Sequence, residues 1–291
     1  MEGIILSCVG GLYTVLSEGK TYPLRGQAKM RWEKMKPVAG DRVEFQPGAG
    51  DDNGWLTAVL PRKNILKRPN VANLDVLCVV LSAATPDPDL ELADRILMGA
   101  REAGIECVLV INKRDLSDEN TREIMRQYAG AVSAQYAVCA REEDSVAALR
   151  EALRGRIHAF CGQSGVGKST LINALYGLGR QTGGLSDKTR RGKHTTRTCE
   201  LIPLPGGGMA LDTPGFSLLE ADLCDPITLK DLYPEFTPYE GKCRFSPCMH
   251  RREPDCAVRQ AVESGEINEE RWKRYDLLFE EQRIKWRDRY D

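Results

Sequence analysis

The stretch Gly162 to Thr170 (GQSGVGKST) constrains this chain more than any other. It fits the phosphate-binding loop G-x-x-x-x-G-K-[ST] at Gly162, Gly167, Lys168 and Ser169, with Gln163, Ser164, Gly165, Val166 and Thr170 completing the run. Glycines at 162, 165 and 167 let the backbone turn tightly, so that successive N–H groups can converge on a triphosphate. Lys168 supplies a point charge for the β- and γ-phosphates, and Ser169 a hydroxyl for Mg²⁺. The flanks agree. The apolar run Ile157 to Cys161 reads as a buried strand, and Ser169 to Leu178 as a helix whose N-terminus faces the phosphates.

Two further boxes stand on either side. Asn112-Lys113-Arg114-Asp115 ends an apolar strand at Ile111 and has the form N-K-x-D. A carboxylate at Asp115 can accept from guanine N1–H and the 2-amino group, whereas adenine would leave it unpaired. Asp212-Thr213-Pro214-Gly215 follows Met209-Ala210-Leu211 and has the form D-x-x-G. There the Asp reaches towards Mg²⁺ and the Gly215 N–H senses the γ-phosphate. Between them Gly183 to Thr198 is rich in Gly, Lys, Arg and Thr, and reads as a mobile loop in which a threonine closes on the metal. Arg180 to Glu200 carries six basic residues against two acidic ones, a patch suited to RNA or phosphate. In ordinary GTPases the P-loop comes first and N-K-x-D late. Here the order is 112–115, 162–169, 212–215, as a circular permutation would give, and the loop at Asp212 leads directly into the C-terminal region.

Around these boxes the chain divides into three: 1–68, 69–222 and 223–291. The first part is all-β, with short strands at Ile4 to Leu6, Leu12 to Leu16, Thr21 to Leu24, Gly40 to Phe45 and Trp55 to Leu60. Five such strands suggest a small barrel such as an OB-fold. Lys29 to Lys36 (KMRWEKMK) reads equally as a phosphate-contacting, stacking segment or as a solvated loop with Trp32 packed. Pro61 to Asn73 is basic and proline-punctuated, and reads as a linker. From Val76 onward buried strands alternate with helices (Leu90 to Ala103, Thr121 to Tyr128, Ser145 to Leu153), which implies an α/β fold with a mainly parallel sheet.

The third part holds Cys243, Cys248, His250 and Cys256, spaced C-x4-C-x-H-x5-C. Three thiolates and an imidazole make a closed tetrahedral Zn²⁺ set of the structural kind. Lys242, Arg244, Arg251 and Arg252 frame it as a basic patch, and Ile267 to Tyr290 follows as a charged helix with Trp272, Tyr275, Leu278 and Phe279 on a packing stripe. The ten cysteines, with no signal peptide and no long apolar segment, point to a reducing cytoplasm, with Cys78, Cys107, Cys139 and Cys161 as buried free thiols. With 41 basic and 42 acidic residues, bulk charge does not mark a nucleic-acid binder, and no lipid site or membrane helix is legible. Nothing drives closed association, so a monomer is the default reading.

The permuted boxes, the small barrel and the C-x4-C-x-H-x5-C cluster together resemble the ribosome small subunit-dependent GTPase A family (RsgA) over essentially the whole chain. The resemblance implies an OB-fold, a permuted GTPase domain and a zinc domain. It also implies binding to the maturing small ribosomal subunit and its rRNA, with GTP hydrolysis stimulated by that subunit late in assembly. The family's His-Thr-Thr element falls on His194, Thr195 and Thr196, with Thr196 the Mg²⁺ ligand beside Ser169 and Asp212. Phe216 stands where Ras-like enzymes carry a water-orienting Gln, and the resemblance points to His194 as the replacement. The fifth base-contacting box usually reads Ser-Ala; here it is Cys139-Ala140, whose backbone N–H groups can still reach guanine O6. The competing readings are an RNA-docking assembly module that uses nucleotide only as a conformational ligand, and a translation or membrane-associated GTPase.

Overall fold

The computed structural model describes residues 1–26, 36–49, 52–177, 199–212 and 224–289. Strands β1 (Glu2–Val9), β2 (Leu12–Ser17), β3 (Lys20–Gly26), β4 (Arg42–Gln46) and β5 (Gly54–Val59) form the N-terminal barrel. They close as β1–β2–β3–β5–β4, with β4 returning to β1. A register shift between Ile5 and Ser7 bends β1 so that it serves both β2 and β4. Alternate residues point inward, and Ile5, Val15, Leu24, Val43, Phe45 and Leu56 fill the interior. This is the five-stranded, OB-like barrel that the strand spacing suggests. Of Lys29 to Lys36, all but Lys36 lie outside the described residues.

Pro61 to Asn73 is not a free linker. It contains β6 (Ile65–Lys67) and β7 (Asn70–Ala72), an antiparallel hairpin that buries Leu66 and Val71. Polar side chains lock it to its neighbours. Asn64 makes two hydrogen bonds with the Leu74 backbone, at 2.8 and 2.9 Å. Asn73 donates to Gly40 O at 2.9 Å, and buried Asp41 accepts from Arg62 and from Val38 N. The prolines and charges mark a turn and its rim, and the apolar Leu66 and Val71 between them are what pack.

The central sheet runs β10 (Ala134–Ala137), β9 (Glu106–Asn112), β8 (Val76–Ser82), β11 (Ile157–Cys161), β13 (Met209–Asp212), all parallel. Strand β8 is buried throughout and feeds two cores by alternation. Leu77, Val79 and Leu81 pack with helix α1 (Leu90–Glu102) and α2 (Asp118–Gln127) on one face. Val76, Cys78 and Val80 pack with α3 (Ala147–Ala152) and α4 (Lys168–Tyr176) on the other. A further strand, β12 (Glu200–Pro203), lies antiparallel to β13, and its outer edge meets β1 at the pair Ser7–Glu200. Barrel and α/β core therefore share one eleven-stranded sheet. Cys78, Cys107, Cys139 and Cys161 are buried and free. His158 is fully buried, with Nδ1 3.1 Å from Arg156 O and Nε2 2.7 Å from Tyr176 Oη, and burial lowers its pKa to about 4.

The C-terminal part is built from 3₁₀ turns at Pro226–Leu232 and Pro234–Tyr239, then α5 (Ala257–Glu263) and α6 (Glu269–Arg287). Tyr275, Leu278 and Phe279 are buried along α6, with Trp272 packed beside them. Helix α6 docks on α1 through a largely buried charge cluster. Asp94 of α1 accepts from Tyr128 Oη at 2.6 Å and Arg274 Nε at 2.6 Å, and pairs with Arg271. Arg271 also reaches Glu235 at 2.8 Å. Arg95 and Glu281 add a bidentate pair at the rim. No helix among the described residues is long and apolar enough to cross a membrane.

Candidate nucleotide and metal sites

Strands β8, β9, β11 and β13 all end at the same sheet edge, where open parallel sheets hold their ligands. The run Gly162 to Gly167 leaves β11 there and turns into α4. Gly162 has φ +139°, and a Cβ on it would lie 2.2 Å from Val80 O. Gly167 has φ +92°, and its Cβ would meet Asn112 Nδ2 at 2.5 Å. Only glycine fits either position. Lys168 folds back over the loop, its ammonium 2.7 Å from Gly162 O and 2.8 Å from Gln163 O. Burial lowers its pKa, and no carboxylate among the described residues offsets that. Ser169 and Thr170 are exposed at the start of α4, where helical N–H groups lack partners.

The N-K-x-D box meets this loop although it comes some fifty residues earlier (the Asn112–Val166 separation is 54). Asn112 is buried and spans two loops: its Nδ2 donates to Val166 O at 2.9 Å, and its Oδ1 accepts from Ala140 N at 3.1 Å. Lys113 adopts the left-handed conformation (φ +60°) and donates to Gly165 O at 2.8 Å and to Thr85 O. Asp115 is exposed beside them. Strand β10 ends at Ala137, earlier than the pattern Gln135 to Ala140 suggests, because Val138 to Ala140 turn away as a loop. That loop is tied to β9 by Val138 N to Ile111 O at 2.8 Å and Arg114 N to Val138 O at 3.1 Å. Cys139 N donates to Ser145 Oγ at 2.6 Å, so both Cys139 and Ala140 amides are engaged within the protein. Ser145 reads from sequence only as the start of the helix Ser145 to Leu153; it lies in the 3₁₀ turn Glu143–Val146 that precedes α3, and no motif marks its tie to the base loop.

Asp212 closes β13 at the same edge. Gly215, Phe216, His194, Thr195, Thr196 and the rest of Gly183 to Thr198 lie outside the described residues.

Cys243, Cys248, His250 and Cys256 come together with all four ligand atoms within 4.8 Å of one another. Cys243 Sγ lies 3.5 Å from His250 Nδ1 and 3.9 Å from Cys256 Sγ, and His250 Nδ1 lies 3.4 Å from Cys256 Sγ. Tetrahedral Zn–S bonds of about 2.3 Å and a Zn–N bond of about 2.0–2.1 Å require S···S of about 3.8 Å and S···N of about 3.6 Å. The donor set fits a cation of that size. Burial pushes the Cys248 thiol up to about 12 and lowers the His250 pKa. A cation here would be needed to hold the thiolate form. The loop is braced from outside. Glu253 accepts the Met249, Arg251 and Arg252 amides, while Trp272 Nε1 and Tyr275 Oη donate to the His250 and Met249 carbonyls. The basic patch is partly neutralised: Arg244 pairs with Asp255, and Arg251 with Asp276 and Glu280. Those acids lie beyond Arg252, outside the run that reads as purely basic.

Comparison with known proteins gives a consistent picture. Residues 59–222 match the RsgA GTPase family, and residues 2–56 match the RsgA N-terminal domain. The small ribosomal subunit biogenesis GTPase RsgA of Moorella thermoacetica is 41% identical, covering 94% of this chain and 95% of that protein. RsgA 1 of Listeria monocytogenes is also 41% identical, covering 97% of each. Among solved structures, YjeQ from Thermotoga maritima superposes with a TM-score of 0.83 at 35% identity, over 97% of this chain and 98% of that one. YloQ, described as a circularly permuted GTPase, superposes with a TM-score of 0.80 at 31% identity, over 98% and 95%.

Proposed function

Since the chain belongs to the RsgA GTPase family, we propose that it acts in biogenesis of the small ribosomal subunit, hydrolysing GTP to GDP and phosphate when bound to that subunit late in its maturation. The observation that carries the reading is Asn112, which ties the phosphate loop at Val166 to the base loop at Ala140. That contact supports reading the phosphate loop and the N-K-x-D box, despite their permuted order, as parts of one guanine-nucleotide site. Its division of labour follows from chemistry. The amides of 162–170 and the Lys168 ammonium take the phosphates, replacing the carbonyl contacts Lys168 now makes. Asp115 accepts from the guanine N1–H and 2-amino groups, with Asn112, Lys113, Cys139 and Ala140 forming the base loop. Ser169, Thr196 and Asp212 would hold Mg²⁺, which when bound neutralises charge on the β- and γ-phosphate oxygens. Gly215 senses the γ-phosphate, and His194 orients the attacking water.

The Cys243, Cys248, His250, Cys256 group would hold one structural Zn²⁺, supported by the donor chemistry and spacing. The proposed units are the barrel (1–68), the permuted GTPase domain (69–222) and the zinc domain (223–291), in a monomeric cytoplasmic protein that contacts rRNA. The decisive experiment measures GTP turnover with and without small ribosomal subunits, with large subunits as control and ATP in parallel. Stimulation by small subunits alone is the expected result. Turnover indifferent to subunits would remove the stimulated step, and equal use of ATP would remove the role given to Asp115. A His194→Ala protein that keeps full stimulated turnover would remove that residue's part.

A further inference from the structure

We propose that Ser82, which belongs to none of the three nucleotide boxes, is a positioning residue for the nucleotide site: by fixing the Thr85 carbonyl it holds the Lys113 side chain across the gap between the N-K-x-D box and the phosphate loop. The inference rests on reading that box and that loop as one guanine-nucleotide site. Ser82 is the last residue of β8, fully buried, and pairs in register with Asn112 at the end of β9. Its hydroxyl donates to Thr85 O at 2.9 Å and accepts the Ala84 amide at 3.4 Å, closing the turn that leads towards α1. Two further bonds brace that turn. Ala83 N donates to Asn112 O at 2.9 Å, and Asn120 Nδ2 of α2 donates to Ala83 O at 3.1 Å.

The braced carbonyl is the one that Lys113 uses. Thr85 O takes two donors, the Ser82 hydroxyl from the strand end and the Lys113 ammonium from the N-K-x-D box. The same ammonium donates to Gly165 O at 2.8 Å. The Lys113 side chain therefore runs from the base-recognising box to the phosphate loop, with a carbonyl from each of two turns at its head. Pro86 brings the first turn within van der Waals reach of the second, since a Cβ on Gly165 would lie 3.6 Å from Pro86 Cδ. Lys113 is half-buried, so water competes for its ammonium. A lysine chain left free would have to be ordered when a nucleotide joins the two halves of the site; two fixed acceptors order it beforehand. Without the Ser82 hydroxyl the Thr85 carbonyl loses its internal donor, and the ammonium keeps one firm acceptor in place of two. The loss passes through Lys113, so it should vanish where residue 113 has no ammonium.

The test measures GDP dissociation constants for the full-length native protein, Ser82→Ala, Lys113→Met and the double variant, with urea unfolding of each as a separate record of stability. Ser82→Ala should weaken GDP by about fivefold when Lys113 is present, the scale of one hydrogen bond, and by less than about twofold in the Lys113→Met background. Ser82→Cys keeps the volume with a weak thiol donor and should repeat the Lys113-dependent loss, which covers the case in which Ser82→Ala folds poorly. Equal weakening in both backgrounds would mean that Ser82 only stabilises the fold, and unchanged affinity would mean that Thr85 keeps its place without it; either overturns the proposal. A Lys113→Met protein that binds GDP as the native one does would instead overturn the reading of the N-K-x-D box beneath it, a distinct outcome.

Discussion

Replacing Asp94 by Asn tests whether the C-terminal module is held by charge. The side chain keeps its shape, so packing is conserved, while the charge is lost and one of the two acceptor oxygens becomes a donor facing other donors. In the native cluster Asp94 and Glu235 balance Arg271 and Arg274, with Asp94 and Arg271 almost wholly buried. Arg271 is also stacked against the Tyr128 and Tyr233 rings, at 5.1 and 4.5 Å, and is buried. The variant leaves two guanidinium groups facing one carboxylate. Removing one member of a buried ion pair costs about 3–5 kcal/mol, and a pair at about 4 Å in an effective dielectric near 20 gives about 4 kcal/mol. Arg274 is partly exposed and can relax towards solvent, so the lower half of that range, about 3 kcal/mol, is the expectation. Urea unfolding followed by tryptophan fluorescence suits the purpose, because Trp272 and Trp286 both lie on α6. A second variant, Arg274→Met, and the double variant complete a cycle. The coupling should exceed about 1 kcal/mol, with the double variant less damaged than the sum. A loss under about 1 kcal/mol for Asp94→Asn, or strict additivity, would show that apolar contacts around Tyr275 and Phe279 hold the module and that the ions do not.

Other expectations concern the metal, the base and pH. Metal analysis should find one zinc per chain, and Cys248→Ala should lose it and lower the stability of the 224–289 module by several kcal/mol, about the scale of a structural zinc site; unchanged stability would exclude a structural metal. Asp115→Asn replaces an acceptor by a donor opposite the 2-position of the base. GTP affinity should fall at least about tenfold, and xanthine nucleotides, with a 2-oxo group, should bind better than they do to the native protein; competition binding decides this. His158 has a folded pKa of about 4 against about 6.5 unfolded. Its neutral burial contributes stability that is full above about pH 6.5 and lost as pH falls towards 4, by roughly 3 kcal/mol in total. Stability measured from pH 8 to 4 should show that decline in the native protein and less of it in His158→Asn; identical profiles would mean that other groups govern the acid limb.

What could be read from the sequence was what is written locally. Period-two alternation gave the five barrel strands, since residues such as Val43 and Phe45 face one core. The continuous apolar runs of β8 and β9 marked strands buried on both faces. The phosphate loop and the Cys₃His cluster carry their chemistry in spacing alone, and the structure brings the four ligands together as that spacing implies. The hairpin at 65–72 is hard to read because only two inward residues, Leu66 and Val71, betray it between prolines and charges. Strand β12 is four residues long and ends in Pro203, too short for a pattern. The partnership of Asp94 with Arg271 and Arg274 spans about 180 residues and has no local signature. Ser145 reads only as the start of a helix, and the bond from the Cys139 amide to its hydroxyl has no local signature.

The pairing of β1 with β12 also bears on solubility. A short parallel sheet ending in an antiparallel strand exposes a row of unsatisfied N–H and C=O groups, a template for addition of strands from other molecules. The chain places its own barrel there, at Ser7 against Glu200, so the growing end of the central sheet is blocked from within. At the opposite end, β10 is only four residues long, which limits what could be templated on that side. A shortened chain beginning after Leu60 would keep every nucleotide box, yet it would uncover the β12 edge, and its difficulty would be self-association before any loss of chemistry. The barrel thus acts, whatever else it binds, as a built-in stopper for the enzyme it precedes.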